Sequence, residues 1–296
     1  MEKKLSVVGI DIAKQVFHLV GMDEQGTILV RKRLYRAQVM AFIAQLPPTR
    51  IGMEACGGAH GWARRFREHG HEVQLMAPQF VKPYVKANNN DRRDAEAIAE
   101  AVTRPTRRFV PIKDVAQQDL QALHRVRERL MGARTALVNA VHGLMNEYGM
   151  VIPKGVSKFR QAVVEKLESE QDKLTPLSQE MFGQLVEEFS ALEKQLAYDQ
   201  EQLETLATTH PECQRLMTIP GIGPLSATAL VAAVSDASAF KNGRQFAAWL
   251  GLVPRQHSTG GKERLLGMSK RGGLMLDSRV VDVRIVYTDA MPCPKP

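Results

Sequence analysis

The sequence predicts an α/β domain over about residues 1–110, then a long helical segment, then a mainly α-helical C-terminal domain. Short apolar runs separated by turn residues fill the first hundred positions or so, which is typical of strands. From about residue 114 the apolar residues recur at spacings of three and four, which indicates amphipathic helices. The 296 residues are enough for about two domains.

The N-terminal strands are predicted by runs that end at turn residues. The run "LSVVGI" at residues 5–10 predicts a buried strand that ends at Asp11, and "RIGMEA" at 50–55 predicts a fourth strand that ends at Glu54. Between them, "QVFHLVGM" and "GTILVRKRL", joined by "DEQG", predict a hairpin. The segment "HEVQLMA" predicts a fifth strand, while "GWARRFREHG" and "DAEAIAEAVTR" predict helices.

Two long segments predict the helical middle, residues 111–210. The first begins "AQQDLQALHRVRERL", and the second covers residues 178–210 with a coiled-coil-like apolar stripe. Packing of this stripe within one chain and pairing with another molecule are both open on the sequence alone. The stripe consists of Met181, Leu185, Phe189, Leu192, Leu196 and Leu203.

Charge and cysteine content limit the environment of the protein. The formal net charge is +8, which suggests a polyanionic partner. The three cysteines, Cys56, Cys213 and Cys293, follow no metal-ligand or disulfide spacing, which fits a reducing compartment. No apolar run is long enough to span a membrane, and the N-terminus passes directly into a strand, so a cytoplasmic protein without a membrane partner is expected.

Four carboxylates occupy the ends of predicted elements. Asp11 and Glu54 end strands, and Asp91 and Asp94 share one face at the start of a helix. If the first and fourth strands are parallel neighbours, this helix can bring all four together, and their repulsion would require a cation. Hard oxygen ligands predict Mg²⁺, as a metal pair suited to phosphoryl displacement. The alternative is that Asp11 is a polar strand end and Asp91 a helix cap.

The segment "PGIGPLSATAL", residues 220–230, predicts a helix-hairpin-helix. Gly221 and Gly223 would let backbone N–H groups approach a DNA phosphate, and the following helix would add its positive end. This contact would not depend on base sequence. A structural turn between core helices is the alternative.

The segment at residues 254–273 is basic and rich in small polar residues. It predicts either a phosphate-binding segment with Ser258 as a nucleophile or a solvated basic loop. His257 is not assigned as the base for Ser258, because neighbours on an extended chain point in opposite directions. The cations of this segment are Arg255, Lys262, Arg264, Lys270 and Arg271.

Several blocks in this order resemble transposases of the insertion sequence 110 family. They are "GIDIAK", "MEACGGAHGWARRF", "NDRRDAEAIAEA", "IPGIGPLSATAL" and "FAAWLGLVPRQHSTGGKERLLGMSKRG". The form "HSTGGK" resembles the insertion sequence 1111 subgroup. The resemblance runs from about residue 5 to residue 271, and the blocks that hold the carboxylates and the final block carry its specificity.

The resemblance implies a RuvC-like domain with a ribonuclease-H-type fold at residues 1–110, in which Asp11, Glu54, Asp91 and Asp94 bind Mg²⁺. It implies a helical linker at 111–210 and a C-terminal transposase domain at 211–271 that links a serine covalently to DNA. It further implies a structured guide RNA encoded by the element. The implied assembly is a homo-oligomer, a dimer or tetramer, with sites composed from two subunits and a nucleoid-associated location.

The resemblance leaves the serine and the tail to be interpreted. In an alignment without gaps, the family's catalytic serine falls on Thr259. The subgroup pattern favours Ser258 instead, and we take Ser258 as the expected nucleophile. Arg92 and Arg93 are expected to point away from the metal and to contact DNA phosphates. Residues 272–296 depart from the family pattern, which predicts a frameshifted, truncated tail and a decayed copy.

Three other functions compete with an RNA-guided recombinase. A RuvC-like nuclease would need the carboxylates and no serine. A non-catalytic DNA-binding remnant would need neither. An actin-like sugar kinase is disfavoured, because the helical middle leaves no room for a second nucleotide-binding half.

Overall fold

The computed structural model describes residues 4–84, 91–104, 109–234, 238, 240–259 and 264–268, without the side chains of Asp91, Arg92 and Met268. The chain divides into two compact units. The first contains residues 1–115 with 235–239, and the second contains residues 116–234 with 240–296.

The first unit is built on a six-stranded mixed sheet with the order β3-β2-β1-β4-β5-β6. The pair β1–β4 and the pair β4–β5 are parallel, and the remaining neighbours are antiparallel. The predicted strands, their hairpin and the parallel neighbours β1 and β4 are therefore confirmed. The strands are β1 Val7–Ile12, β2 Val16–Met22, β3 Ile28–Tyr35, β4 Arg50–Glu54, β5 Glu72–Met76 and β6 Phe109–Val110.

Helices cover both faces of this sheet. The buried side chains of α2 pack with Ile10, Ile51 and Met53. Those of α4 pack with Val7 and other residues that point to the opposite face. This division follows from the alternation of side chains along each strand. The helices are α1 Val39–Ile43, α2 Ala59–Glu68, α3 Pro78–Val81 and α4 Asp91–Val102; α1 and α3 are short and were not predicted.

The second unit is mainly helical, as predicted. Its two long helices, α5 and α7, share one apolar core with α6, and residues of the predicted stripe, including Phe189, Leu192 and Leu196, are buried in it. The stripe thus packs within the chain, while pairing with another molecule stays a prediction. The helices are α5 Val115–Glu147, α6 Phe159–Ser169, α7 Pro176–Thr209, α8 Pro211–Met217, α9 Pro224–Ala233 and α10 Gly243–Trp249.

One element of the second unit corrects the sequence analysis. The basic segment is not a plain loop, because β7 (Pro254–Gln256) and β8 (Leu265–Met268) form an antiparallel pair. The pairing was missed because each strand is only three or four residues long and Leu265 is exposed, so neither has a buried alternating pattern. In the part of the chain that the structure describes, no helix combines the length and apolarity needed to cross a bilayer.

Candidate functional site

Two glycines bring helix α4 directly onto the sheet. Gly9 of β1 and Gly52 of β4 are partners in the parallel register. A Cβ atom added at Gly9 would overlap backbone atoms of Ala95 and Ala99 in α4. One added at Gly52 would lie 3.0 Å from Cβ of Val102. The helix therefore packs against β1 and β4 where neither strand carries a side chain.

This packing positions three of the four predicted carboxylates. Asp11 lies two residues after Gly9, and Glu54 lies two residues after Gly52, so both project from the sheet face that α4 covers. Each lies one residue beyond the last parallel pair, Ile10 and Met53, although β1 itself continues to Ile12. Asp94 is in the first turn of α4 and is half-buried.

The electrostatics of these groups reflect their charges on one another. Burial, followed by the negative charge of Asp94, raises the pKa of Glu54. The pKa of the Cys56 thiol is also raised, by burial first and then by the charges of Glu54 and Asp11. Like charges at this range repel one another, and a bound cation would relieve the repulsion.

The donor chemistry fits a divalent cation, although no closed ligand set is present. Carboxylate oxygens are the hard donors that Mg²⁺ and similar ions prefer. Among the described side chains, however, no group of three or more His, Cys, Asp or Glu is arranged to hold a metal ion. Asp91 begins α4, but its side chain is outside the description, so the fourth predicted ligand has no observed position.

Arg92 and Arg93, which lie between Asp91 and Asp94, are described to different extents. Arg93 is exposed on α4, whereas the side chain of Arg92 is outside the described residues. Their predicted contact with DNA phosphates stays a prediction.

Ser258 lies just beyond β7, in the segment that joins the two strands of the hairpin. It is exposed, and its Oγ accepts a hydrogen bond of 2.9 Å from Nε2 of Gln256. The backbone N–H of His257 donates to the carbonyl of Arg264 at 2.9 Å, which continues the strand pairing. Because Oγ is the acceptor here, its own hydrogen remains available to a base.

The cations of this segment are only partly described. Arg255 and Arg264 are exposed, as is Thr259. Lys262, Lys270 and Arg271 lie outside the described residues. The described part of the segment therefore presents a positive, accessible hairpin around Ser258.

The predicted glycine turn lies between α8 and α9, which pack together in one apolar core. Gly221 has a φ of 86°, which favours glycine. Gly223 has an extended backbone (φ −91°), and an added Cβ would meet nothing within 4 Å, so the fold does not require glycine there. Pro224 opens α9 and has no N–H, which leaves Leu225 and Ser226 as the free donors.

A contact of α2 that holds a histidine was missed by the sequence analysis. The Nδ1 atom of His60 accepts a hydrogen bond of 3.1 Å from the backbone N–H of Lys113. Burial, with the charges of Lys113 and Arg64, lowers the pKa of His60 to about 4. Because Lys113 is 53 residues away in sequence, no local pattern could have revealed this contact.

Comparison with known proteins identifies relatives over nearly the whole chain. Residues 8–150 match the family model of DEDD transposases of the IS110 type, and residues 213–283 match the model of the transposase IS116/IS110/IS902 family. The second match includes the first part of the segment at 272–296 that was predicted to be atypical.

Three relatives illustrate the similarity. The chain is 48% identical over 278 residues to a "Probable family 20 transposase" of Pseudomonas aeruginosa, covering 94% of this chain and 82% of the relative. It is 45% identical to the transposase for insertion sequence element IS1111A of Coxiella burnetii, covering 94% and 77%. It is 39% identical to the transposase for insertion sequence element IS1328 of Yersinia enterocolitica, covering 96% and 84%.

Proposed function

The chain belongs to the IS110/IS116/IS902 family of insertion-sequence transposases, and from that premise we propose that it excises and inserts its own DNA element. The observation that carries this proposal is the gathering of Asp11, Glu54 and Asp94 beneath the start of α4. Such a negative site can attract a cation, and the cation can stabilise charge on a phosphate.

We propose Mg²⁺ as that cation, held by Asp11, Glu54 and Asp94 with Asp91 as a fourth ligand. When bound, it would neutralise charge on the scissile phosphate. The carboxylates would hold the cation, and the packing of α4 on Gly9 and Gly52 sets how closely the helix that carries Asp94 approaches the strands that carry Asp11 and Glu54.

Ser258 is the proposed nucleophile. Its Oγ would lose a proton and bond to phosphorus, while the bond between phosphorus and one deoxyribose oxygen breaks and that oxygen takes up a proton. Support comes from the exposure of Ser258 and from its hydrogen bond to Gln256, which holds Oγ in place. Arg255 and Arg264 carry positive charge on the same hairpin and would attract the phosphate.

The proposed partners are the element ends, a target DNA and a structured guide RNA from the element. The net charge of +8 favours polyanionic partners of either kind. We further propose a dimer or tetramer in the cytoplasm, associated with the nucleoid, in which a serine of one subunit acts with the carboxylates of another. The turn at Gly221 and Gly223 is proposed to hold DNA through backbone N–H groups, as a helix-hairpin-helix would.

The test is a denaturing gel of purified full-length protein with labelled donor DNA, the element's noncoding RNA and Mg²⁺. A slow DNA band that disappears on protease treatment is the expected covalent intermediate. Ser258→Ala should abolish the band, and the neighbouring Thr259→Ala should retain it as a matched control. Asp11→Asn should abolish it as well.

Other results would replace the proposal. Cleaved ends without a covalent band, produced equally by Ser258→Ala, would indicate a RuvC-like nuclease, whose chemistry uses the carboxylates alone. DNA binding without any cleavage would indicate an inactive remnant and would direct attention to residues 272–296. Loss of the band in Thr259→Ala, with the band retained in Ser258→Ala, would identify Thr259 as the nucleophile in place of Ser258.

A further inference from the structure

Trp62 of α2 contacts two arginine side chains that are far apart in sequence. The guanidinium carbon of Arg65 lies 4.9 Å from the centre of a Trp62 ring, and that of Arg36 lies 5.2 Å from it. Both are cation–π contacts, and they cover a ring system that is only 4% exposed. The arginines themselves are exposed, so their N–H groups reach solvent.

Arg36 is also fixed to the turn that follows β1. Its backbone N–H donates to the carbonyl of Gln15 at 2.8 Å, and its Nη1 donates to the carbonyl of Lys14 at 3.3 Å. Lys14 is exposed and follows Asp11 by three residues. This arrangement brings three cations to the end of β1 at which the carboxylates gather.

Some arginines of the same unit are neutralised by a carboxylate, but no ion pair of Arg36 or Arg65 is found among the described residues. Arg31 pairs with Glu96 at 3.1 Å, and Arg50 pairs with Glu72 at 3.3 Å. Arg104, just beyond the end of α4, likewise pairs with Glu100 of that helix. Within the described ranges, neither Arg36 nor Arg65 forms an ion pair with a carboxylate. Their charge is therefore available to an external anion.

We propose that Lys14, Arg36 and Arg65 form a phosphate-binding surface that holds the backbone of nucleic acid entering the carboxylate site. Stacking uses the flat face of a guanidinium and leaves its in-plane N–H groups free, which is the geometry for binding phosphate oxygens. Contact with the Trp62 ring also restricts the two arginine side chains before binding, so less side-chain entropy is lost when they bind a phosphate. This inference rests on the proposed function, since it takes the nucleic acid to be the substrate DNA.

The test measures binding without cleavage. A fluorescein-labelled duplex carrying the element end is titrated with full-length protein in EDTA at several salt concentrations, and anisotropy gives the affinity. Each lost phosphate contact should reduce the salt dependence, the slope of log K against log salt, by about 0.9. Arg36→Gln with Arg65→Gln should therefore reduce the slope by about 1.8, and Lys14→Gln alone by about 0.9.

Two controls separate charge from packing. Arg67→Gln removes one charge from the same helix, at an exposed position without a ring contact among the described residues, and should leave the slope unchanged. Arg36→Lys with Arg65→Lys keeps both charges and should retain most of the slope. If circular dichroism shows that the glutamine double variant unfolds, Lys14→Gln still tests the inference, because Lys14 is exposed.

Slopes of the glutamine variants equal to that of Arg67→Gln would overturn the inference, whether or not the wild-type protein cleaves DNA. Failure of the proposed function would look different. The wild-type protein would then form neither the covalent band nor cleaved ends, while the slopes would still report which cations contact phosphate.

Discussion

Gly9 of β1 and Gly52 of β4 lie opposite each other in the parallel pair, and helix α4 packs against both of them. Each is followed two residues later by a carboxylate on the same face, Asp11 and Glu54 respectively. The close layer spacing that the glycines permit is what brings Asp94 near Glu54. The geometry of the site therefore depends on two positions that have no side chain.

Adding a methyl group at Gly9 should be far more damaging than adding one at Gly52. At Gly9 the new Cβ would overlap the backbone of α4, so the whole helix must shift. At Gly52 the nearest atoms belong to the side chains of Val102 and Ile98, at 3.0 to 3.3 Å, which can adjust. We expect Gly9→Ala to cost about 3 kcal/mol or more and Gly52→Ala about 1 kcal/mol. Urea unfolding measures both, and equal costs would contradict the packing.

Removing the charge of Asp94 should lower the pKa of Glu54. Burial and the Asp94 charge both raise that pKa, so Asp94→Asn removes the second cause and leaves the first. Carboxyl carbon NMR of metal-free protein over a pH series measures the change. Glu96→Gln, on the same helix and paired with Arg31, is the matched control and should leave Glu54 unaffected.

The same carboxylate gives a signed prediction for stability. The pKa of Glu54 is higher in the folded state than its ordinary value of 4.5, so the folded state binds the proton more tightly. Its stabilising contribution is complete below pH 4.5 and is lost as the pH rises through the raised folded pKa. The free energy of unfolding of Glu54→Gln, measured in urea, should not show this decrease with pH. An identical pH profile in the two proteins would contradict the raised pKa.

His60 predicts a pH dependence of the opposite sign. Its pKa is about 4 in the folded protein against an ordinary value of 6.5, so the unfolded chain binds more protons between these values. Stability should therefore decrease as the pH falls from 6.5 to 4. His60→Asn keeps an acceptor for the N–H of Lys113 and should flatten this part of the profile. His69→Asn, at an exposed histidine of the same unit, should leave it unchanged.

Replacing the buried carboxylate of α7 should stabilise the second unit. Asp199 is 7% exposed, and its Oδ2 has no hydrogen-bond partner within the described ranges. It continues the spacing of Leu192 and Leu196 along the helix, so a leucine at this position would extend the apolar stripe. We expect Asp199→Leu to add about 1–3 kcal/mol of stability, since an unpaired buried polar group is lost.

The control for this change is Glu201→Leu, at an exposed position of the same helix. It adds the same apolar side chain without removing a buried charge and should alter the unfolding midpoint little. A decrease in stability for Asp199→Leu would indicate that the carboxylate has an essential partner, and would reverse our interpretation of its burial.

Local pattern predicted most elements of the first unit because strands and helices leave periodic signals. The ends of β1 and β4 fall near Asp11 and Glu54, as turn residues and polar side chains indicated. The hairpin of β7 and β8 was missed since exposed strands of three or four residues leave no such signal. The contact of Arg36 with Trp62 could not be predicted, because α1 and β4 lie between the two residues in the sequence.

The sequence by itself determined which residues could do chemistry: carboxylates at element ends, a serine among cations, and a net positive charge. Only the tertiary structure decided which of them meet. Strand order placed β1 beside β4, and the absence of side chains at Gly9 and Gly52 let α4 approach closely enough for Asp94 to raise the pKa of Glu54. The physical reason is that periodicity acts between near neighbours in sequence, whereas sheet pairing and helix packing join residues that are far apart.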